Sequence, residues 1–180
     1  MNNCDIYDIY HGSFEKKIKS FNLNYLEGGE HSFGIGIYFT KNKECLKYYS
    51  ESEDYKGNIY IAKLNCLDSE IKNFNDTLTE QELNSLIKEF NLILTEQEFN
   101  DCLNIKMEQI HFYILKNFLL INNRCLFTNK QFIKKFVKAT KIKAFKKEAL
   151  YMDYIRTDFC VMNLKSITLI KAIDLNYENP

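Results

Sequence analysis

The chain has 180 residues, 46% of them apolar, with 14 Phe and 12 Tyr; such a chain buries roughly 70% of its unfolded surface, which excludes a disordered or fibrous protein. Lys plus Arg and Asp plus Glu both number 24, so no global charge draws the chain to nucleic acid or to a membrane surface. Six scattered cysteines without a CxxC pair, and His11, His31 and His111 far apart, argue against a metal site and for reduced thiols in a cytoplasmic setting; neither a signal peptide nor a membrane span is evident.

In chain order, the first stretch reads as strands and loops. Strands are expected at Ile6–Tyr10 and Gly36–Thr40, then a short helix over Lys43–Tyr49 and a strand at Asn58–Leu64. The six glycines, at positions 12, 28, 29, 34, 36 and 57, are confined to this part of the chain. Gly12, Gly34 and Gly36 stand out as places where backbone must turn tightly or approach a ligand.

The middle reads as helical. Thr79 with Glu82, and Thr95 with Glu98, fit the capping box that satisfies free amides at a helix start, inside the near-identical heptapeptides Leu78–Asn84 and Leu94–Asn100. Two copies suggest a duplicated helical hairpin rather than a repeat array. Further helices are expected over Lys106–Ile121 and Lys130–Thr140. Strands return at Glu148–Met152, Asp158–Met162 and Ser166–Ile173, with turns at Tyr154–Thr157 and Asn163–Lys165. Strands at both ends imply one α+β domain over residues 1–180 whose sheet joins the termini, with a central helical insertion at about 68–140.

Two segments could carry chemistry. Tyr10-His11-Gly12-Ser13 ends the first strand, placing an imidazole beside backbone groups that can grip a planar amide while the ring bonds a sugar hydroxyl. A lone histidine of this kind is more often structural. Gly34-Ile35-Gly36-Ile37-Tyr38-Phe39-Thr40 then leads into Tyr49, and the rings of Tyr38 and Tyr49, set roughly 7 Å apart, could clamp a flat heterocycle. An aromatic core is the bland alternative for both tyrosines.

Together these segments resemble the ADP-ribosyltransferase superfamily, in the His–Tyr–acid branch that includes poly(ADP-ribose) polymerases and diphtheria toxin. Tyr10–Ser13 matches the first motif, Gly34–Phe39 with Tyr49 the second, and Asp158-Phe159-Cys160-Val161-Met162 the third. The resemblance covers about the first 65 and last 35 residues, and the central helices lie outside it. It implies a split, twisted sheet with NAD as substrate in its cleft and no metal. His11 would meet the adenosine ribose and Gly12 the carboxamide. Tyr38 and Tyr49 would sandwich the nicotinamide, with Ser13, Gly36, Phe39 and Thr40 as supporting contacts.

The family's third residue is usually glutamate, and Asp158 is a methylene shorter, which points to single transfers rather than polymer growth. Asp153 is a competing acid, because the start His11–Glu15 is also similar to that of small phage-encoded transferases that disable bacterial immune complexes, including anti-CRISPR types. In that group an aspartate at the end of the preceding strand serves. Glu148 is a distant third.

The resemblance therefore implies a mono-ADP-ribosyltransferase with a protein acceptor, acting as a toxin, an effector or a counter-defence protein in the cytosol. Nucleic acid as acceptor, or water in an NAD glycohydrolase, is the alternative enzyme reading. Between Lys130 and Lys147 stand eight lysines and no acid, either a solvated face or a docking surface. That run leaves open a third reading, an inactive NAD-fold module that binds partners through its lysines.

Overall fold

A computed structural model describes residues 5–13, 18–24, 34–46, 57–121, 124–125, 127–151 and 154–174. The protein is α+β, with helices and a mixed seven-stranded sheet. The strands are β1 (Asp5–Ser13), β2 (Ile37–Thr40), β3 (Asn58–Cys66), β4 (Ile71–Asn73), β7 (Ala144–Tyr151), β8 (Tyr154–Val161) and β9 (Ile167–Asp174). Their order is β4-β7-β8-β2-β1-β3-β9. All neighbours are antiparallel except β4 and β7.

Alternation explains the ladders. β3 buries Tyr60, Ala62, Leu64 and Cys66 on one face and turns Lys63 out between them, as a half-buried strand must. β1 pairs along its whole length with β3, from Asp5↔Cys66 to Ser13↔Asn58. Toward β2 only Tyr10↔Thr40 is in register. The sheet is thus two well-laddered groups, β4-β7-β8-β2 and β1-β3-β9, joined through a single residue pair.

Between β3 and β7 run α1 (Glu80–Phe90), α2 (Glu96–Asn104), α3 (Met107–Phe118) and α4 (Asn129–Thr140), with a two-stranded ribbon of β5 (Leu120–Ile121) and β6 (Arg124–Cys125) before α4. Both expected capping boxes form: Thr79 and Thr95 accept from the amides of Glu82 and Glu98, whose carboxylates accept from the threonine amides at 2.8 and 2.7 Å. Thr128 and Gln131 make a third box at α4. α1 and α4 pack together, and the helices bury Leu83, Leu86, Met107, Ile110, Ile114, Phe132, Ile133 and Phe136 against the β7–β8 side of the sheet, where Phe145 lies within 6.2 Å of the Phe136 ring.

Several elements differ from expectation, the ribbon β5–β6 and the earlier start of β7 at Ala144 among them. The helix at Lys43 is a 3-10 turn, Lys43–Leu46, and its later residues lie outside the described ones. The helix expected to reach Ile121 stops at Phe118. β4 was not foreseen; three residues hold it at the sheet edge, extended by the Phe74 amide donating to the Lys146 carbonyl at 2.9 Å. The turn expected at Tyr154–Thr157 is strand, because β7 and β8 form one continuous hairpin from Ala144↔Val161 to Tyr151↔Tyr154. The turn after β8 forms, as a 3-10 turn at Leu164–Ser166.

Candidate functional site

The three motifs fall on three adjacent central strands. β1 carries His11, Gly12 and Ser13; β2 carries Tyr38, Phe39 and Thr40; β8 carries Asp158. Register sets their neighbours: Tyr38 faces Cys160 and Thr40 faces Asp158, while Asp158 on its other side faces Lys147 of β7. Tyr49 and Asp153 lie outside the described residues.

His11 sits at the seam where β1 meets β2. Its Nδ1 is 2.8 Å from the carbonyl oxygen of Tyr38. A carbonyl only accepts, so Nδ1 carries the proton and Nε2 of the neutral ring is left as an acceptor. The ring packs edge-on to Phe21 at 5.3 Å and lies 5.5 Å from Phe39 and 6.4 Å from Tyr60. Burial among these rings lowers its pKa below the ordinary 6.5, and the bond to Tyr38 offsets this only in part. At neutral pH His11 is therefore an uncharged acceptor, suited to a hydroxyl donor.

Successive residues of β2 point to opposite faces. Phe39 lies with His11, and with Phe159, whose ring is tilted against that of Tyr7 at 5.5 Å. Tyr38, Thr40, Cys160 and Asp158 lie on the other face. Only the ring of His11 bridges the two, through the Tyr38 backbone. The Tyr38 hydroxyl donates to the Gly34 carbonyl at 2.5 Å, and the Cys160 thiol approaches the same oxygen at 3.7 Å. Complete burial pushes the Cys160 thiol up to about 12, so it is no nucleophile.

The glycines of the second motif have packing reasons of their own. Gly34 takes φ +95°, a conformation costly for any other residue, and a Cβ there would stand 3.3 Å from both His111 Nδ1 and Phe145 Cε2. A Cβ on Gly36 would lie 2.5 Å from Cys160 Sγ and 3.0 Å from the Val161 carbonyl oxygen. Gly36 is thus required by contact with β8, a reason the expectation of a ligand contact did not include.

Asp158 is held by a residue that the sequence reading missed. Arg156, two positions back on the same face of β8, places Nε 2.9 Å from Oδ1 and 2.8 Å from Oδ2 of Asp158. The strand beneath is pinned by Thr40, whose hydroxyl donates to the Thr157 carbonyl at 3.2 Å, and by Asn42, whose side-chain oxygen accepts the Thr157 amide at 3.0 Å. Asn42 continues the ladder after β2 ends. Tyr154 stands about 13 Å along β8 from Asp158, four residues of regular strand. Glu148 is half exposed and paired with Lys146 at 3.2 Å.

Four of the eight lysines in the run are ion-paired. Glu89 takes both Lys135, at 3.3 Å, and Lys138, at 2.8 Å. Glu70 takes Lys143 at 2.6 Å, and Lys130 donates to the Asn24 side chain at 2.6 Å. Lys141 caps the Lys138 carbonyl and Lys147 lies over the Phe74 ring. Lys134 is exposed on α4. Glu70 and Glu89 lie far upstream in sequence, whereas Glu148 directly follows the run.

Among the described residues no group of three or more His, Cys, Asp or Glu side chains is placed to hold a metal ion, and no helix is long and apolar enough to cross a membrane. No protein-family model, curated protein or solved structure matches this chain.

Proposed function

We propose that this protein is an NAD-dependent mono-ADP-ribosyltransferase that modifies a protein acceptor, in the manner of a toxin, an effector or a phage counter-defence protein. The observation that carries the reading is the adjacency of β1, β2 and β8, which hold His11, Tyr38 and Asp158, 147 positions apart in sequence at their extremes. Tyr38 and Asp158 lie on one face of the sheet, and His11 reaches the Tyr38 carbonyl from the other.

The residues suit the chemistry. His11 Nε2 accepts a ribose hydroxyl, and the ring of Tyr38 offers a flat surface for nicotinamide, with Tyr49 its partner in the motif resemblance. The glycosidic bond breaks with its electron pair leaving on the nicotinamide nitrogen, so positive charge develops on the ribose C1′ and its ring oxygen. Asp158 supplies negative charge to that centre, and Arg156 fixes the orientation of its side chain. An acceptor nucleophile then bonds to C1′ and gives up its proton. Gly12, Ser13, Gly36, Phe39 and Thr40 would shape the surroundings. The aspartate in place of glutamate favours a single transfer.

A protein acceptor is preferred to nucleic acid because most of the lysine run is spent on Glu70, Glu89, Glu148 and backbone carbonyls. The same pairing weighs against an inactive module acting through those lysines. The test is mass spectrometry of lysate proteins incubated with the chain and NAD. A protein gaining one ADP-ribose, absent with Asp158→Asn, is the expected result. Nicotinamide release with no labelled protein would assign water as acceptor, a glycohydrolase, and release of none would contradict the enzyme reading.

A further inference from the structure

One peptide unit in the second motif is gripped at both ends. The Gly34 carbonyl accepts the Tyr38 hydroxyl at 2.5 Å, while the amide of the same peptide bond, that of Ile35, donates to Nδ1 of His111 at 3.0 Å. His111 belongs to α3, in the helical segment that the motif resemblance does not touch. It is fully buried, with ring centroids 5.2, 4.4 and 4.9 Å from Phe132, Phe136 and Phe145, so its imidazole has little freedom to turn.

We infer that His111 is a positioning residue for Tyr38, acting through the Gly34–Ile35 peptide. A peptide is planar, so fixing the direction of its N–H fixes the direction of its C=O. That direction sets where the Tyr38 hydroxyl finds its acceptor, and with it the plane of the ring proposed to stack on nicotinamide. Donation from Tyr38 and acceptance by His111 also polarise the shared peptide in the same sense, so each bond strengthens the other. Gly34 holds φ +95° at this point, a conformation that needs support from both sides. The helical segment is therefore coupled to the site rather than appended to it. A buried histidine that merely filled the core would need only its volume, whereas this role needs an acceptor at Nδ1.

This inference rests on the NAD reading for its ligand, and a double-mutant cycle on NAD affinity tests it. His111→Phe, which keeps a ring and removes the acceptor, should weaken NAD binding about tenfold by calorimetry. His111→Asn, whose side-chain oxygen falls near the place of Nδ1, should stay within about threefold of the wild type. In a Tyr38→Phe background, where the hydroxyl is gone, His111→Phe should add less than about twofold. An undiminished effect in that background, or none in either, overturns the role of His111 while leaving NAD binding intact. A wild-type chain that binds no NAD instead contradicts the ligand reading and, with it, the role toward NAD. Should His111→Phe fail to fold, the imidazole nitrogen-15 spectrum of the Tyr38→Phe chain decides, since loss of the hydroxyl must move the His111 Nδ1 resonance. An unmoved resonance overturns the coupling.

Discussion

Two regions of this chain advertise themselves in sequence, and the fold treats them in opposite ways. The strands β1, β2 and β8 set scattered motif residues side by side, with Thr40 facing Asp158 on one face and His11 touching the Tyr38 backbone from the other. Helix α4 and its flanks disperse a dense lysine run among Glu70, Glu89, Glu148, Asn24 and backbone carbonyls. Spacing between motifs survives folding because strand order converts it into adjacency. A local excess of charge is answered in part, by Glu70 and Glu89 from upstream and by Glu148 beside the run.

The comparison is sharpest at Asp158. A carboxylate beside a developing cation is worth several kcal/mol, so Asp158→Asn should slow transfer by roughly 10²–10³ while NAD binding stays measurable. Asp153→Asn should be milder; if it is the more damaging change, the catalytic role moves to Asp153. His11→Ala and Tyr38→Ala should each cost about 1–2 kcal/mol of transition-state stabilisation in nicotinamide-release kinetics. Gly36→Ala should lower stability by about 1–3 kcal/mol in denaturant unfolding, because its Cβ would collide with Cys160 and Val161. Unchanged stability there would return Gly36 to the role of a ligand contact.

Smaller effects separate the two regions further. The lowered pKa of His11 means that the unfolded chain takes up its proton first as pH falls. This stability contribution is complete above the unfolded value of 6.5 and is lost progressively below it, down to the folded pKa. NAD affinity should decline over the acid side of the same window as Nε2 loses its lone pair, and His11→Gln should abolish that dependence. Lys138→Glu should cost under about 1 kcal/mol of stability, as exposed pairs do, with the transfer rate unchanged. Loss of transfer in Lys134→Glu, with NAD affinity intact, would restore α4 as a docking surface.

Features written in local chemistry were legible. The capping boxes at Thr79 and Thr95 need only neighbouring residues, and the strands at Tyr10 and Tyr38 carry their own alternation. The hairpin β7–β8 was read only over Glu148–Met152 and Asp158–Met162. The remainder, residues 144–147 and 154–157, gains strand structure from cross-strand pairing rather than from propensity. Arg156 and Asn42 were missed for the same reason, since their value lies in what Asp158 and Thr157 present once the strands meet. The two-residue spacing of Arg156 and Asp158, one face of a strand, was the available signal. His111 gave no signal, being a single histidine on a helix whose partner is 76 positions away.

The central claim is that β1, β2 and β8 build an NAD site, and nicotinamide release from NAD by the wild-type chain beside Asp158→Asn tests it most directly. The account predicts steady release by the wild type, stimulated by lysate protein, and loss of about two to three orders of magnitude in the variant with its fold intact by circular dichroism. Equal release by both chains, or none by either in the presence of a lysate, would contradict it.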